Sequence, residues 1–324
     1  MFKRMLSAFG VGGPSVDTVL DSPHATPGQV ITGQVRIQGG SADANIDQIV
    51  LSLVTRVEVE RGDHEFRGVS EFLRVVVAQG VRVVAGQPLA VPFQLPLPWE
   101  TPITAVGGQP LPGMTVGVRT ELVISGAPDK GDLDPVLVGP LPSQDRVLDA
   151  FGQLGFQFRS ADVEAGRIHG VAQELGFYQE IEFFPPARFA GRVNQVELTF
   201  VTNPHELVVV LEADKRGGLF SSGGDAFGRF HVSHQDAERT DWAAAIEQWL
   251  VQVAERGGHS AFGHPQHGYG HPQHGYGDHG HHRGPGVGGV VAGAAAGVVG
   301  GMILGEVLDD AFGGDDGGDM AFEE

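Results

Sequence analysis

The sequence changes character abruptly at Gly257, and this change limits what the chain can fold into. An identical seven-residue repeat occupies residues 263–269 and 270–276, and an uncharged run rich in glycine, alanine and valine follows. Neither segment can build a packed core alone, so the chain is considered in two parts, a body and a tail. The chain is therefore expected to be a folded body of about 250 residues with an appended tail.

Charge and composition narrow the possible functions. The net charge is -19, so contact with nucleic acid would have to overcome repulsion from the phosphates, and no nucleic-acid partner is expected. The absence of cysteine excludes disulfides and zinc–thiolate sites. Lys3 and Arg4 precede only a very short apolar stretch, without the long apolar region and cleavage site of a signal peptide. These features predict a cytoplasmic protein.

Apolar residues recur at every second position in the first half of the body, which is typical of half-buried strands. Ile31, Val35 and Ile37 point one way, whereas the polar residues between them point the other. The same period returns within residues 49–59, 91–97 and 116–124. Prolines 92, 96 and 98 occupy the polar phase of their strand. Because proline has no N–H to donate, this strand is predicted to lie at a sheet edge.

The second half repeats this alternation within residues 181–183, 196–200 and 207–211, which predicts a second sandwich in tandem with the first. Residues 127–135 are predicted to form a linker. A short helix is expected from about residue 144 to 153, with Ser143 as its N-cap and three residues on its apolar face, Val147, Phe151 and Leu154.

A second helix is predicted to close the body. It is expected to begin near Thr240 or Asp241 and to end at Gly257. Its apolar stripe consists of Trp242, Ile246, Trp249, Leu250 and Val253. The two tryptophans are expected to dock this helix on the second sheet.

Six segments of the body carry a family likeness. They are residues 16–20, 27–35, 95–103, 130–136, 179–183 and 196–200, which read VDTVL, PGQVITGQV, LPLPWETPI, KGDLDPV, QEIEF and VELTF. In this order they resemble the SpoOM family of bacterial sporulation-control proteins, over about residues 1 to 255. The resemblance implies two arrestin-like β-sandwich domains side by side, a regulatory or scaffolding role in sporulation or development, and no known catalytic chemistry. It also implies that the tail is an addition.

The body offers no constellation that favours catalysis. It contains no glycine-rich phosphate loop before a helix, no nucleophile elbow and no His-Glu-x-x-His motif, so an enzyme is not expected, and no cofactor is predicted. Asp129, Asp132 and Asp134 lack the spacing of a calcium loop and are interpreted as part of a solvated linker. His231 and His234 lie three apart on a predicted strand, which places them on opposite faces and favours a structural role.

The histidines of the tail are candidate metal ligands. Eight of the fourteen histidines lie between His259 and His282, in flexible glycine-rich sequence. A weak, adventitious site for nickel, zinc or copper is predicted at His264, His267, His271, His274, His279, His281 and His282. The alternative is a spacer whose charge responds near pH 6.5.

Two further segments are candidate interaction surfaces. An N-terminal helix would carry one apolar face, which suits either a docking element or packing on the first sandwich, and this face consists of Phe2, Met5, Leu6 and Phe9. In residues 284–305, glycines recur at four-residue intervals and would form a flat stripe on a helix, namely Gly289, Gly293, Gly297, Gly301 and Gly305. Glycine lowers hydrophobicity and helix propensity, so self-association or partner binding is favoured over membrane insertion.

These patterns predict an all-β protein with two tandem arrestin-like β-sandwich domains, short helices and a disordered Gly/His-rich tail. The expected domains are residues 1–126, 127–256, 257–283 and 284–324. The leading hypothesis is a cytoplasmic, non-enzymatic scaffold or adaptor that controls sporulation or development through protein–protein interaction. The alternatives are a nickel- or zinc-binding protein that uses the tail histidines, and an adaptor tethered to a membrane by residues 284–305.

Overall fold

The computed structural model describes residues 13–61, 64–124, 130–215 and 226–258. Strands dominate this part of the chain, as predicted. The strands are β1 (Ser15–Leu20), β2 (His24–Ala25), β3 (Val30–Gln38), β4 (Ala44–Arg61), β5 (His64–Val83), β6 (Pro88–Pro96), β7 (Ala105–Val106), β8 (Gln109–Pro110), β9 (Val116–Val123), β10 (Lys130–Pro135), β11 (Leu137–Val138), β12 (Gln157–Ala165), β13 (Phe177–Phe184), β14 (Val193–Thr202), β15 (Glu206–Lys215) and β16 (Ala226–Ser233). The helices are α1 (Pro142–Leu154), α2 (His234–Ala237) and α3 (Trp242–Gly258).

The first domain is a sandwich of two sheets. One sheet has the strand order β1-β3-β6, and the other contains β4, β5, β9 and β10. Their facing side chains form one apolar cluster that includes Val35, Ile49, Leu95 and Leu122. The proline-containing strand β6 pairs only with β3 among the described strands, which confirms its predicted position at a sheet edge.

The larger sheet of the first domain continues into the second domain. Among the described residues its order is β10-β9-β4-β12-β13-β14-β15-β16, and β5 pairs with β4 outside this path. The crossing point is a parallel bridge between Glu58 of β4 and Glu164 of β12. The backbone hydrogen bonds of one sheet therefore connect the two domains.

Helices α1 and α3 cover the inner face of β12–β16. Val147 and Phe151 of α1 are fully buried in the second apolar cluster, as the periodicity predicts. On α3, Trp242 packs edge-on against Phe230 of β16, with ring centroids 5.6 Å apart. The Trp249 ring lies directly over Gly228 of the same strand. The predicted docking of this helix through its tryptophans is confirmed.

The bounds and caps of the helices correct one prediction. Ser143 is not the N-cap of α1, because the helix begins at Pro142, two residues before the predicted start, and Leu141 occupies the N-cap position. The Gln144 side chain instead accepts a hydrogen bond from the Leu141 N–H, with a distance of 2.8 Å. On α3, the prediction of Asp241 at the start is confirmed, since its carboxylate accepts a hydrogen bond from the Ala244 N–H.

Two segments that look like loop or strand in the sequence fold differently. Residues 130–135, predicted as part of a linker, form β10 on the edge of the large sheet. Asp132 stabilises this strand because its carboxylate accepts a hydrogen bond from the Thr18 N–H at 2.7 Å. His234, predicted on a strand, begins α2 instead. The residues that contact its ring lie far away in the sequence, so the alternation of polar and apolar residues does not reveal them.

Candidate functional site

The two domains meet where residues 99–103, between β6 and β7, lie on the second domain. Gln179 of β13 is the central anchor, and its side chain is buried. Its amide nitrogen donates to the Ile103 carbonyl at 2.8 Å, and its amide oxygen accepts from the Ile103 N–H at 2.9 Å. The side chain thus pairs with this segment as a neighbouring strand would, and both polar atoms of this buried side chain are hydrogen-bonded across the junction.

Glu100 fastens the loop between β12 and β13 to the first domain. One carboxylate oxygen accepts from the Glu174 N–H and the other from the Leu175 N–H, each at 2.7 Å. Burial raises the pKa of Glu100, and these two hydrogen bonds oppose that rise. The Thr202 hydroxyl of β14 also donates to the Trp99 carbonyl.

His234 connects three parts of the molecule at the same junction. Its Nε2 lies 2.8 Å from the Asn203 carbonyl oxygen, which can only accept, so Nε2 carries the proton. In the neutral ring, Nδ1 then accepts from the Ser143 hydroxyl of α1 at 2.8 Å. The ring also lies against Trp99, with centroids 5.8 Å apart. The Ser143 hydroxyl therefore forms a hydrogen bond within the junction and does not cap α1.

The junction leaves no room for a ligand. The space enclosed between Trp99, Gln173 and Gln179 amounts to about 10 Å³, which is the volume needed for one water molecule. The side chains of Gln173 and Gln179 already form hydrogen bonds within the protein. The junction is therefore suited to fixing the two domains relative to each other, and not to binding a substrate.

In the larger sheet, the outer face of five strands, β4 and β12–β15, carries a row of acidic residues, called here the carboxylate ladder. Like charges stand directly opposite each other in the strand register, where pairing is unfavourable. The opposed pairs are Glu58 with Glu164, Asp162 with Glu180, Glu182 with Glu197, and Glu197 with Glu212.

Burial and the acidic neighbours of the ladder together shift the pKa of Glu180. Burial, followed by the charges of Glu197, Asp162, Glu164 and Glu212, raises its pKa to about 8. Burial and the same acidic surroundings raise the pKa of Tyr178 to about 12. Glu180 is therefore protonated at neutral pH. Within the described residues, no group of three or more acidic or histidine side chains is arranged to hold a metal ion.

The structure does not describe the site residues predicted from the sequence. The candidate metal ligands of the tail, the glycine stripe of residues 284–305 and the N-terminal apolar face all fall outside the described residues. Across residues 13–61, 64–124, 130–215 and 226–258, none of the helices combines the length and apolar character needed to traverse a bilayer.

Sequence reasoning missed the junction residues and the ladder. The segment 179–183, read as a family motif and as a strand, contains both Gln179 and Glu180. Alternation does separate these two residues onto opposite faces of β13. The signal that could have found the ladder is the acidic polar phase of consecutive strands, although their register is a tertiary property.

The fold and the junction define the class of this protein: a two-domain, arrestin-like β protein whose halves share one sheet. A family model described as SpoOM protein matches residues 2–217. The sporulation-control protein spo0M of Bacillus subtilis (strain 168) is 31% identical over 263 residues, covering 78% of this chain and 99% of the relative. The crystal structure of Spo0M from Bacillus subtilis matches with a TM-score of 0.66 at 30% identity, covering 75% of this chain and 100% of that chain. The chain belongs to the SpoOM family.

Proposed function

We propose that this protein is a cytoplasmic, non-catalytic adaptor in the control of sporulation, and that it brings partner proteins together on its two-domain body. Family membership supports the role in sporulation control, because the Bacillus subtilis relative is a sporulation-control protein. Fold alone does not determine function, so the adaptor role needs support from the junction itself.

The observation that carries the proposal is the way Gln179 and Glu100 fasten the two domains. Both side chains bind backbone groups of the opposite domain, and the large sheet crosses the same boundary. Such a junction resists hinge motion, because opening it would leave several buried polar groups without partners. A body with fixed domain positions presents surfaces at a constant separation, which an adaptor requires.

The experiment compares the full-length chain with Gln179→Ala in a strain that lacks the gene. Gln153→Ala, on the exposed face of α1, is the matched control. Sporulation frequency and the proteins cross-linked to the chain are measured at equal protein levels. The proposal expects at least two proteins that associate with each other only when the chain is present, and weaker association with Gln179→Ala. Partners that associate equally well without the chain would contradict an adaptor role.

Self-association through residues 284–305 is part of the same proposal, since glycines at four-residue intervals would let two copies approach closely if this segment formed a helix. Deleting residues 285–308 from the full chain should lower the apparent mass in analytical ultracentrifugation without altering the circular dichroism of the body. Identical masses would remove self-association from the proposal. Recovery of the intact chain only in detergent would favour the membrane-tethered alternative.

A further inference from the structure

A groove of about 610 Å³ lies between the first domain and α1. Its walls come from β2 and the turn after it, the β7–β8 hairpin, β11 and one face of α1. This volume lies within the usual range of about 300–1,000 Å³ for ligand sites. None of the residues that fasten the junction lines it, so it is a separate feature of the fold.

One rim of the groove is acidic. Asp145 and Asp149 stand one turn apart on α1, and both side chains are exposed. Partial desolvation of its carboxylate, followed by the charge of Asp149, raises the pKa of Asp145, although the residue as a whole is exposed. Neither carboxylate takes part in the ion pairs of the described residues, and no lysine or arginine lines the groove. The rim therefore offers two neighbouring negative charges to a cation from outside.

The rest of the groove combines apolar side chains and backbone with three polar side chains, His24, Thr26 and Gln29. Leu148, Val106 and Leu137 are partly buried along its wall. Gly107 and Gly108 form the two-residue turn between β7 and β8, with φ values of 59° and 78°, and open space surrounds the position of each missing Cβ. A two-residue turn with positive φ at both positions favours glycine. The backbone of this turn is thus open to close approach by another chain.

We propose that this groove binds a short segment of a partner protein in which a lysine or arginine stands next to an apolar residue. The cation pairs with Asp145 and Asp149, and the apolar side chain packs against Leu148 and Val106. This inference rests on the adaptor function proposed above, and it supplies the chemistry of one partner. A small polyamine would satisfy the two carboxylates but would leave the apolar wall exposed to water, so the mixed lining favours a peptide.

The test uses the full-length chain and a fluorescent hexapeptide of alternating lysine and leucine, with binding followed by anisotropy. The double variant Asp145→Asn/Asp149→Asn should bind the peptide about tenfold more weakly, since each exposed ion pair contributes modestly. Glu238→Gln/Glu247→Gln removes two negative charges from the second domain and should leave the affinity unchanged. Leu148→Ala should weaken peptide binding about threefold but leave spermine binding unaffected.

Several outcomes would overturn the inference. Equal affinity of the two double variants would show that only net charge attracts the peptide. A glutamate–leucine hexapeptide that binds equally well would remove the role of the cation, and spermine that binds as tightly as the peptide would make the groove a polyamine site. Displacement by a peptide of residues 1–12 at lower concentration would identify the chain's own N-terminal segment as the occupant. If the peptide does not bind in the groove but partner proteins still associate in the strain, the adaptor proposal stands and only the groove inference is lost.

Discussion

Glu100 at the domain junction and Glu180 in the carboxylate ladder are both partly buried, and burial raises the pKa of each. Their surroundings act in opposite directions. Two backbone N–H groups donate to Glu100 and favour its charged form, whereas four neighbouring carboxylates of the ladder disfavour the charge of Glu180. N–H donors therefore make the charged form of a buried acid less costly, and neighbouring carboxylates make it more costly. The junction gives Glu100 two such donors, whereas the neighbours that raise the pKa of Glu180 are carboxylates.

The same contrast extends to the surfaces around these residues. At the junction, polar side chains use their hydrogen-bonding capacity to hold residues 99–103. On the ladder, the opposed pairs raise the free energy of the folded state and have to be offset by the apolar core beneath them. The junction is therefore expected to be sensitive to any substitution, and the ladder to respond mainly to pH.

The largest loss of stability is expected at Gly28, whose backbone packs against Trp99 of the junction. A Cβ at Gly28 would lie 2.5 Å from Cε2 of Trp99, and φ at this glycine is +78°. Gly28→Ala should therefore lower the free energy of unfolding by about 3 kcal/mol, from backbone strain and from displacement of Trp99 together. Urea denaturation measures this change.

Gly108→Ala is a matched control, because its φ is also +78° but open space surrounds its Cβ position. It should cost only about 1 kcal/mol, from backbone strain alone. Equal losses of unfolding free energy in the two variants would show that Trp99 moves aside without cost. The junction would then be less rigid than its contacts suggest.

The ladder is expected to produce the next largest effect, through pH. The pKa of Glu180 is about 8 in the folded protein, above its usual 4.5, so between these values the folded state binds more protons than the unfolded state. Stability is therefore greatest below pH 4.5 for this group and is lost as the pH rises through about 8. Glu180→Gln should remove this loss and raise stability on the order of 2 kcal/mol at pH 8.

Thermal unfolding at pH 6 and pH 8 checks this prediction, with an expected gain of about 2–4 °C per kcal/mol. Glu182→Gln serves as the control, because Glu182 already accepts a hydrogen bond from Ser160 at 2.6 Å and pairs with Arg159 at 3.1 Å. It should lower stability slightly. A wild-type melting temperature that is the same at both pH values would refute the assignment of a proton to Glu180.

Local patterns explain why most of the fold could be predicted. Ile31, Val35 and Ile37 alternate because one face of β3 is buried, and this information lies within the strand itself. Strand β5 escaped prediction because two bulges interrupt its alternation, at Phe72 and Val77, which have no partner in the register with β4. The bulge also turns Phe72 toward the second domain, where its ring meets Phe177 edge-on at 5.6 Å.

The functional surfaces could not be predicted for a different reason. A serine before a helical stripe indicates an N-cap, but the Ser143 hydroxyl bonds with His234, 91 residues away. Likewise, alternation indicates that Glu180 faces outward, but only the register places it opposite Asp162. Local chemistry is readable in the sequence, whereas the partner of each polar group depends on the tertiary fold.

Glu100→Ala tests the contrast with Glu180 directly. It removes the acceptor of two N–H groups, of Glu174 and Leu175, and should lower stability by about 1–2 kcal/mol. Glu180→Ala should change stability in the opposite direction at pH 8, because it relieves repulsion in the ladder. Hydrogen exchange of the Glu174 and Leu175 amides gives a local readout, which should speed up only in Glu100→Ala. The same sign in both alanine variants would show that burial, and not the partners, decides the effect of each acid.

The smallest effect is expected for Ser143→Ala, which removes the hydroxyl that donates to His234 Nδ1. Loss of one neutral hydrogen bond should cost about 0.5–1 kcal/mol. Since Gln144, and not Ser143, accepts from the Leu141 N–H, the helical signal in circular dichroism should be unchanged in Ser143→Ala but reduced in Gln144→Ala. Nitrogen NMR of the His234 ring adds a specific readout. In Ser143→Ala, Nδ1 should lose its hydrogen bond, whereas the Nε2–H should still donate to the Asn203 carbonyl. Fraying of α1 in Ser143→Ala would restore Ser143 as the N-cap and would remove α1 from the set of elements that His234 joins.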